Sequence, residues 1–317
     1  LLATTNWSGA TQIQISRRSR PLDEVELKQL LTDAIARERP ADPVTMKRNA
    51  PSEDALALFL YDHPFSPYAQ KCKIALHEKG VPFEAGMPNA IGSGQADGAF
   101  LAANPRAEVP ALVVDGGFTL FDSTIICEFI EERFPDPALL PSDPFARARA
   151  RTLEDVMDTQ YEAITWAMGE VGVFRRAEGR KAEELKDRAR EQLDGMHAWL
   201  ERQLGDRPWF GGDTFGWGDL AVIPFVNGAS SFHGPAKGSK LEAWHARANE
   251  RPSVQKCVAD IRNVQIPMTD VAVLVKQGLF KREYRDHRLE WMMRSGGAEI
   301  VLDGMKNGSI RFSFEFK

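Results

Sequence analysis

The sequence predicts a small α/β half followed by an all-helical half. Three observations carry this. Leu56–Tyr61 is a short, almost wholly apolar run, which suits a strand buried on both faces. Strand-like and helix-like segments then alternate as far as the Phe134-Pro135-Asp136-Pro137 stop. From Pro144 to about Arg262 only helical spacing is found, and no internal repeat is seen.

Taken in order, Asp62–Phe65 breaks the first strand and Ser66-Pro67 starts a helix. Ser suits the N-cap, and Pro at the first helical position lacks only an N–H that has no helical partner. Tyr68, Cys72, Ile74, Ala75 and Leu76 form its apolar set, and Lys71, Lys73 and Lys79 are expected to face solvent; Gly80 ends it. Pro82–Gly86 reads as a second strand, Met87–Gly98 as a loop, and Ala99–Ala103 as a helical turn closed by Asn104-Pro105. Val109–Val114 is a strand entered through a proline. Asp115-Gly116-Gly117 turns it into Phe118–Phe121. Asp122-Ser123-Thr124 then caps a helix over Ile125–Arg133.

The helical half is expected to hold Pro144–Val171, bent near Gly169 and Gly172, then Arg180–Leu204, Trp217–Ser230, Leu241–Glu250 and Pro252–Arg262. In the C-terminal stretch, Val271–Met293 reads as helix interrupted at Gly278. Ile310–Phe316 alternates apolar and polar residues, which predicts a half-buried strand in need of a partner. The expected organisation is an extension over 1–54, partly disordered, an α/β domain over 55–137, a helical domain over 143–264 and an extension over 265–317.

Composition is that of an ordinary globular chain, 43% hydrophobic and 27% charged; the net charge of −5 argues against a nucleic-acid footprint. No apolar run is long enough to span a bilayer. Cys72, Cys127 and Cys257 form no close pair, which argues against a disulfide framework or a cysteine zinc site and for a cytoplasmic setting. No metal is expected.

Chemistry concentrates at two helix starts. A buried strand delivers the chain to Ser66, a hydroxyl at a helix N-terminus, where free N–H groups and a partial positive charge suit an anion. Asp122-Ser123 repeats the device. Each also reads as a plain N-cap, and Val109-Pro110 as an ordinary trans proline at a strand start. Tyr61, the rival hydroxyl, lies inside the strand.

Leu58–Leu76, Asn104–Val114 and Phe121–Pro135 together resemble cytosolic glutathione transferases, with SPYAQKCKIAL similar to bacterial serine-type members. The same stretch also resembles the omega class, with Ser66 where that class has cysteine. Asp-Ser-Thr-Ile-Ile-Cys-Glu is similar to β-etherases and related enzymes. The resemblance covers Leu56 to Arg262. It implies a thioredoxin-like α/β domain and a helical domain. Ser66 would activate the glutathione thiol. A cis Val109-Pro110 would present the Val109 backbone to the cysteinyl part, and Asp122 and Ser123 would hold the γ-glutamyl end.

For the glycine carboxylate only Gln95 and Arg106 stand near, and Glu108 has the wrong sign. Tyr68, Tyr161, Trp166, Met168, Trp217, Phe225 and Asn227 are read as lining an acceptor pocket or as core. Gly216 replaces a capping hydroxyl, so Asp219 must cap the Trp217 helix.

The implied function is addition of glutathione, as cosubstrate, to an electrophilic carbon of a hydrophobic or aromatic molecule, by a homodimer. Ether cleavage, non-catalytic ligand binding and thiol–disulfide exchange are the alternatives. The last is disfavoured because Ser66 and Ala69 stand at the redox cysteine positions of thioredoxin-like proteins. The tail is expected to pack over the helical domain and narrow the acceptor pocket.

Overall fold

The computed structural model describes residues 56–88, 98–264, 268–283 and 286–311. The reading of 1–54 as an extension and the residues 312–317 of the last predicted strand lie outside the described residues, as does Gln95.

Four strands, β1 (Leu58–Tyr61), β2 (Glu84–Gly86), β3 (Ala111–Val114) and β4 (Phe118–Phe121), form one mixed sheet in the order β2-β1-β3-β4. β2 runs parallel to β1, as a crossover through α1 (Pro67–Glu78) requires; β3 and β4 are antiparallel to their neighbours. All four residues of β1 are buried, because the sheet has a core on each face. Leu58 and Leu60 pack with Cys72, Leu76 and Ile126 toward the helices. Phe59 and Tyr61 pack with Phe100 and Val113 on the other side. α1 and α3 (Ser123–Arg133) cover the first face, and α2 (Gly98–Ala103) supplies Phe100 to the second. The β3–β4 turn has Asp115 at φ 50° and Gly116 at φ 71°, and Gly117 N–H donates to the Val114 carbonyl at 3.1 Å. Positive φ at both central residues matches the right-handed twist of the strands, which is why Asp-Gly stands there.

The helical half comprises α4 (Pro144–Val156), α5 (Glu162–Gly172), α6 (Gly179–Leu204), α7 (Trp217–Ser230), α8 (Lys240–Asn249) and α9 (Pro252–Asn263). α7 is buried from Trp217 to Val226, so it runs through the middle of the bundle. Asp219 caps it as expected: its carboxylate accepts from the Gly216, Phe210 and Trp244 N–H groups.

The irregularity in the first long helix is not at Gly169 or Gly172. It is a π-turn, Met157–Tyr161, between α4 and α5. A π-turn widens the coil by one residue. Here it brings both the Asp158 carbonyl and carboxylate to α1.

Lys71 and Lys73 of α1 and Lys79 at its C-cap are not solvent-facing. Lys71 bonds Glu154 and Asp158, Lys73 bonds Asp62 and Asp260, and Lys79 bonds Glu131 and two carbonyls; all three are buried. Lys71 lies three residues after Tyr68 and four before Ala75, on the stripe that packs against α4 and α7. Its ammonium is kept there by carboxylates on other elements.

The C-terminal segment folds as α10 (Met268–Lys276), β5 (Arg282–Glu283), α11 (Asp286–Arg294), α12 (Ala298–Asn307) and β6 (Ile310–Arg311). β6 finds its partner in β5, parallel, with Arg282 opposite Ile310. The segment packs on α5 and α6. Arg288 grips Glu162 with bonds of 2.6 and 3.1 Å, Arg282 bonds Glu170 at 2.5 Å, and Phe280 stacks on Phe174.

Candidate active site

Five of the expected site residues, Tyr68, Val109, Pro110, Asp122 and Ser123, line one cleft of about 480 Å3. They converge because β3 and α3 meet there and α1 passes beside them.

Ser66 is the N-cap of α1, and its Oγ accepts from Ala69 N–H at 3.2 Å. That bond uses an oxygen lone pair and leaves the hydroxyl proton available to donate. Capping and anion binding are therefore compatible roles for one residue. Ser66 itself is not among the residues lining the cleft; Tyr68, two positions on, is.

Asp122 is the cap of α3: its Oδ1 accepts from Thr124 N–H at 2.9 Å and Ile125 N–H at 3.4 Å. The helix thus begins at Ser123, two residues earlier than the sequence predicts, and the Asp122 oxygen that caps faces amides. Asp122 has φ 76° and ψ 125°, a sparsely populated conformation that costs on the order of 1–3 kcal/mol. It lets the chain pass from β4 to α3 through a single residue. Ser123 is buried, and its carbonyl accepts from the Cys72 thiol at 3.6 Å.

Val109-Pro110 is cis. The loop before it is held by Asn104, buried, whose Nδ2 donates to the Glu108 carbonyl at 2.7 Å and whose Oδ1 accepts from Arg106 N–H at 2.9 Å. Asn104 is a positioning residue that sequence reasoning read only as a helix stop. Arg106 also lines the cleft and stacks on Phe121, 5.4 Å from the ring centre.

The helical wall of the cleft is polar: Arg151, Glu154, Asp155, Asp158 and Thr159. Behind it lies a network that sequence reasoning missed. Lys71 Nζ donates to Glu154 at 2.7 Å and to Asp158 at 2.6 Å. Glu154 also accepts from Trp217 Nε1 at 2.7 Å and Thr124 Oγ1 at 2.9 Å. Burial pushes the Asp158 carboxyl up to about 6, despite the opposing pull of Lys71. Burial alone would lower Lys71, but Asp158 and Glu154 outweigh it and hold the ammonium charged. The available signal was the position of Lys71 on an otherwise apolar stripe.

The acceptor-pocket expectations need correction. Tyr161 is fully buried and bonded to His197 at 2.9 Å, so it is core. Trp217 is likewise core, its indole committed to Glu154. Phe225 and Met168 are buried in the same cluster. Asn227 is occupied by Asn249 and His245. Large aromatics at helical spacing are the first residues a bundle buries. Tyr68 does face the cleft, its hydroxyl donating to the Asp158 carbonyl and its ring edge-on to Phe225. Trp166 is half-buried beneath the guanidinium groups of Arg282 and Arg288.

Cys72 and Cys127 are buried with sulfurs 3.8 Å apart, and the hydrogen bond that the Cys127 thiol donates to Cys72, together with burial, raises that thiol well above its usual range. Neither is poised as a nucleophile. His63, in the loop before Ser66, is pushed down to about 4 by burial and by Lys73 and Arg282, and is therefore neutral near pH 7.

The sequence matches the family model "Glutathione S-transferase, N-terminal domain" over residues 60–138 and "Glutathione S-transferase, C-terminal domain" over residues 183–247. It is 31% identical to glutathione S-transferase U28 of Arabidopsis thaliana, covering 63% of this chain and 87% of that protein. The chain belongs to the glutathione transferase family. It is also 34% identical to a maleylacetoacetate isomerase of Pseudomonas aeruginosa, covering 58% of this chain and 85% of that one. Among solved structures, rice GST1 in complex with glutathione superposes with a TM-score of 0.55 at 26% identity, covering 70% of this chain and 97% of that one. The glutathione transferase fold thus accounts for both halves, and the thioredoxin-like and helical assignments hold. Among the described residues no helix is long and apolar enough to cross a membrane.

Proposed function

We propose that this glutathione transferase binds glutathione at the α1 and α3 N-termini and uses Ser66 to hold the thiolate for attack on an electrophilic carbon. The observation that carries the reading is the convergence of Val109, Pro110, Asp122, Ser123 and Tyr68 on one cleft, Tyr68 standing two residues after the Ser66 cap.

Lowering a thiol pKa by two units takes about 2.7 kcal/mol. A helix N-terminus supplies about 0.3–2 kcal/mol and a charge-assisted hydrogen bond about 1.5–3 kcal/mol. The hydroxyl and the helix end together suffice, so no base is needed. The thiolate forms the new C–S bond. On an acceptor with a leaving group that group departs with the electron pair; on an unsaturated acceptor the carbanion is protonated. The Ser123 N–H, at the first position of α3, has no helical acceptor and suits the γ-glutamyl carboxylate. Arg106 is the residue of suitable charge for the glycine carboxylate.

The acceptor is a small hydrophobic electrophile. A second reading, thiolate addition to a double bond followed by rotation and elimination, is favoured by the isomerase relative. Phe118, Ile125 and Phe145, on β4, α3 and α4, are exposed apolar side chains of the kind that a homodimer would cover. The buried free thiols suit a reducing cytoplasm.

The test is calorimetric titration with glutathione beside turnover of chlorinated aromatics, enones and aryl ethers. Ser66→Ala is expected to bind glutathione within a few-fold of the parent and to lose about 10²-fold or more in turnover. Ser123→Ala is expected to weaken binding. No saturable heat with the parent chain would overturn the reading.

A further inference from the structure

A second cluster lies on the helical half, apart from the cleft. Asp194 and His197 stand one turn apart on α6, and His233 follows the end of α7. One ligand atom from each of the three lies within 4.8 Å of the others. His233 Nε2 is 2.6 Å from Asp194 Oδ1, and the His197 and His233 rings are stacked with centres 6.0 Å apart. The His233 main chain is itself held, its N–H donating to the Ala229 carbonyl at 2.8 Å.

The independent observation is on His197. Its residue is only 6% exposed, and its Nε2 is engaged by Tyr161 Oη at 2.9 Å. Nδ1 is buried without a hydrogen-bond partner and is the nitrogen left for the cluster. A buried polar atom without a partner calls for an explanation. With Nε2–H donating to the phenol oxygen, Nδ1 carries the lone pair, the arrangement that metal-bound histidines use.

We infer that Asp194, His197 and His233 bind a first-row divalent cation of the zinc type. Two imidazoles and one carboxylate suit zinc, with the fourth position taken by water. The present spacing is not that of bound zinc: His233 Nε2 and Asp194 Oδ1 stand closer together than two ligands of one ion do. Asp194 and His233 expose 68% and 25% of their side chains, so rotation of these two closes the site around the buried His197. The cation takes the place of the direct hydrogen bond between His233 and Asp194. The bound ion would fasten α6 to the turn after α7. This ligand set carries no cysteine, which is why cysteine spacing pointed to no metal.

The experiment uses the full chain, freed of metal by chelator and dialysis. Zinc alone is titrated by calorimetry, and cobalt is added to a parallel sample for its visible spectrum. The parent chain is expected to bind one zinc and to melt higher with zinc than without it. Asp194→Asn and His233→Ala are each expected to weaken binding by about tenfold or more. His77→Ala, a histidine on α1, is expected to bind as the parent does. Metal-free melting of each variant checks that it is folded, and Asp194→Asn is the mildest change. Absence of a one-to-one zinc site in the parent, or undiminished binding by the Asp194→Asn/His233→Ala double variant, would overturn the inference.

Discussion

Lys71→Met is the sharpest test of how the two halves are joined. Lys71 Nζ stands 2.7 Å from Glu154 and 2.6 Å from Asp158, and the three side chains are 0%, 2% and 17% exposed. Methionine fills a similar volume but leaves two buried carboxylates facing only neutral donors, Trp217 Nε1 and Thr124 Oγ1. Removing one member of a buried charge cluster costs about 3–5 kcal/mol. At about 2–4 °C per kcal/mol for a chain of this size, the melting temperature should fall by about 6–20 °C. The loss should depend on pH. Burial holds Asp158 up at about 6, and without Lys71 its carboxyl rises further. A group raised on folding binds more protons folded than unfolded, so acidification stabilises the variant. The deficit should therefore be largest at about pH 8 and shrink towards about pH 5. Urea unfolding across that range reads it. A loss under about 1 kcal/mol, or a deficit that grows on acidification, would refute the argument. Adding Asp158→Asn should restore part of the loss at neutral pH.

Three further outcomes are expected. Gly216→Ala places a Cβ 2.8 Å from the Leu139 carbonyl oxygen, a backbone atom, and should cost about 1–3 kcal/mol by thermal unfolding. Arg288→Leu leaves Glu162 buried without its bidentate partner; it should destabilise the chain by about 3–5 kcal/mol and speed proteolysis within the C-terminal segment, and an unchanged cleavage rate there would show that this ion pair does not hold the segment to α5. Arg251→Leu breaks the fork onto Glu78, but Arg251 is 34% exposed, so solvent screening limits the loss to about 1 kcal/mol. Burial raises the Glu78 carboxyl, but the bonds from Arg251 and Ser253 outweigh it and hold the group below its ordinary value. That stabilisation is present above the ordinary glutamate range and is lost as pH falls through the lower folded value, so parent and variant should converge in acid.

Much of the scaffold was legible because it is local. Ser66-Pro67 marks a helix start by what each residue does to its own backbone, and α1 begins at Pro67. Asp115-Gly116 marks its turn in the same way. The alternation after Ser309 announced a strand, and β6 is one as far as the described residues reach. Short motifs also fix Val109 and Pro110 just before β3 and Asp122 and Ser123 at the start of α3.

What the sequence by itself determined is the four strands of the sheet, most of the helices, the two-part architecture and the two helix N-termini. Each follows from neighbouring residues, through caps, turns and periodicity. Only the tertiary structure decided which polar groups are buried and with whom. Lys71 looked like a solvated lysine because its carboxylate partners lie more than 80 positions away. Tyr161 and Trp217 looked like pocket residues because periodicity identifies an inward face without saying whether it meets a cavity or another helix. The π-turn at Met157–Tyr161 and the Asp194–His197–His233 cluster were invisible for the same reason. A charge or ligand set is completed across space, and its energy depends on the distance and burial that the fold alone supplies.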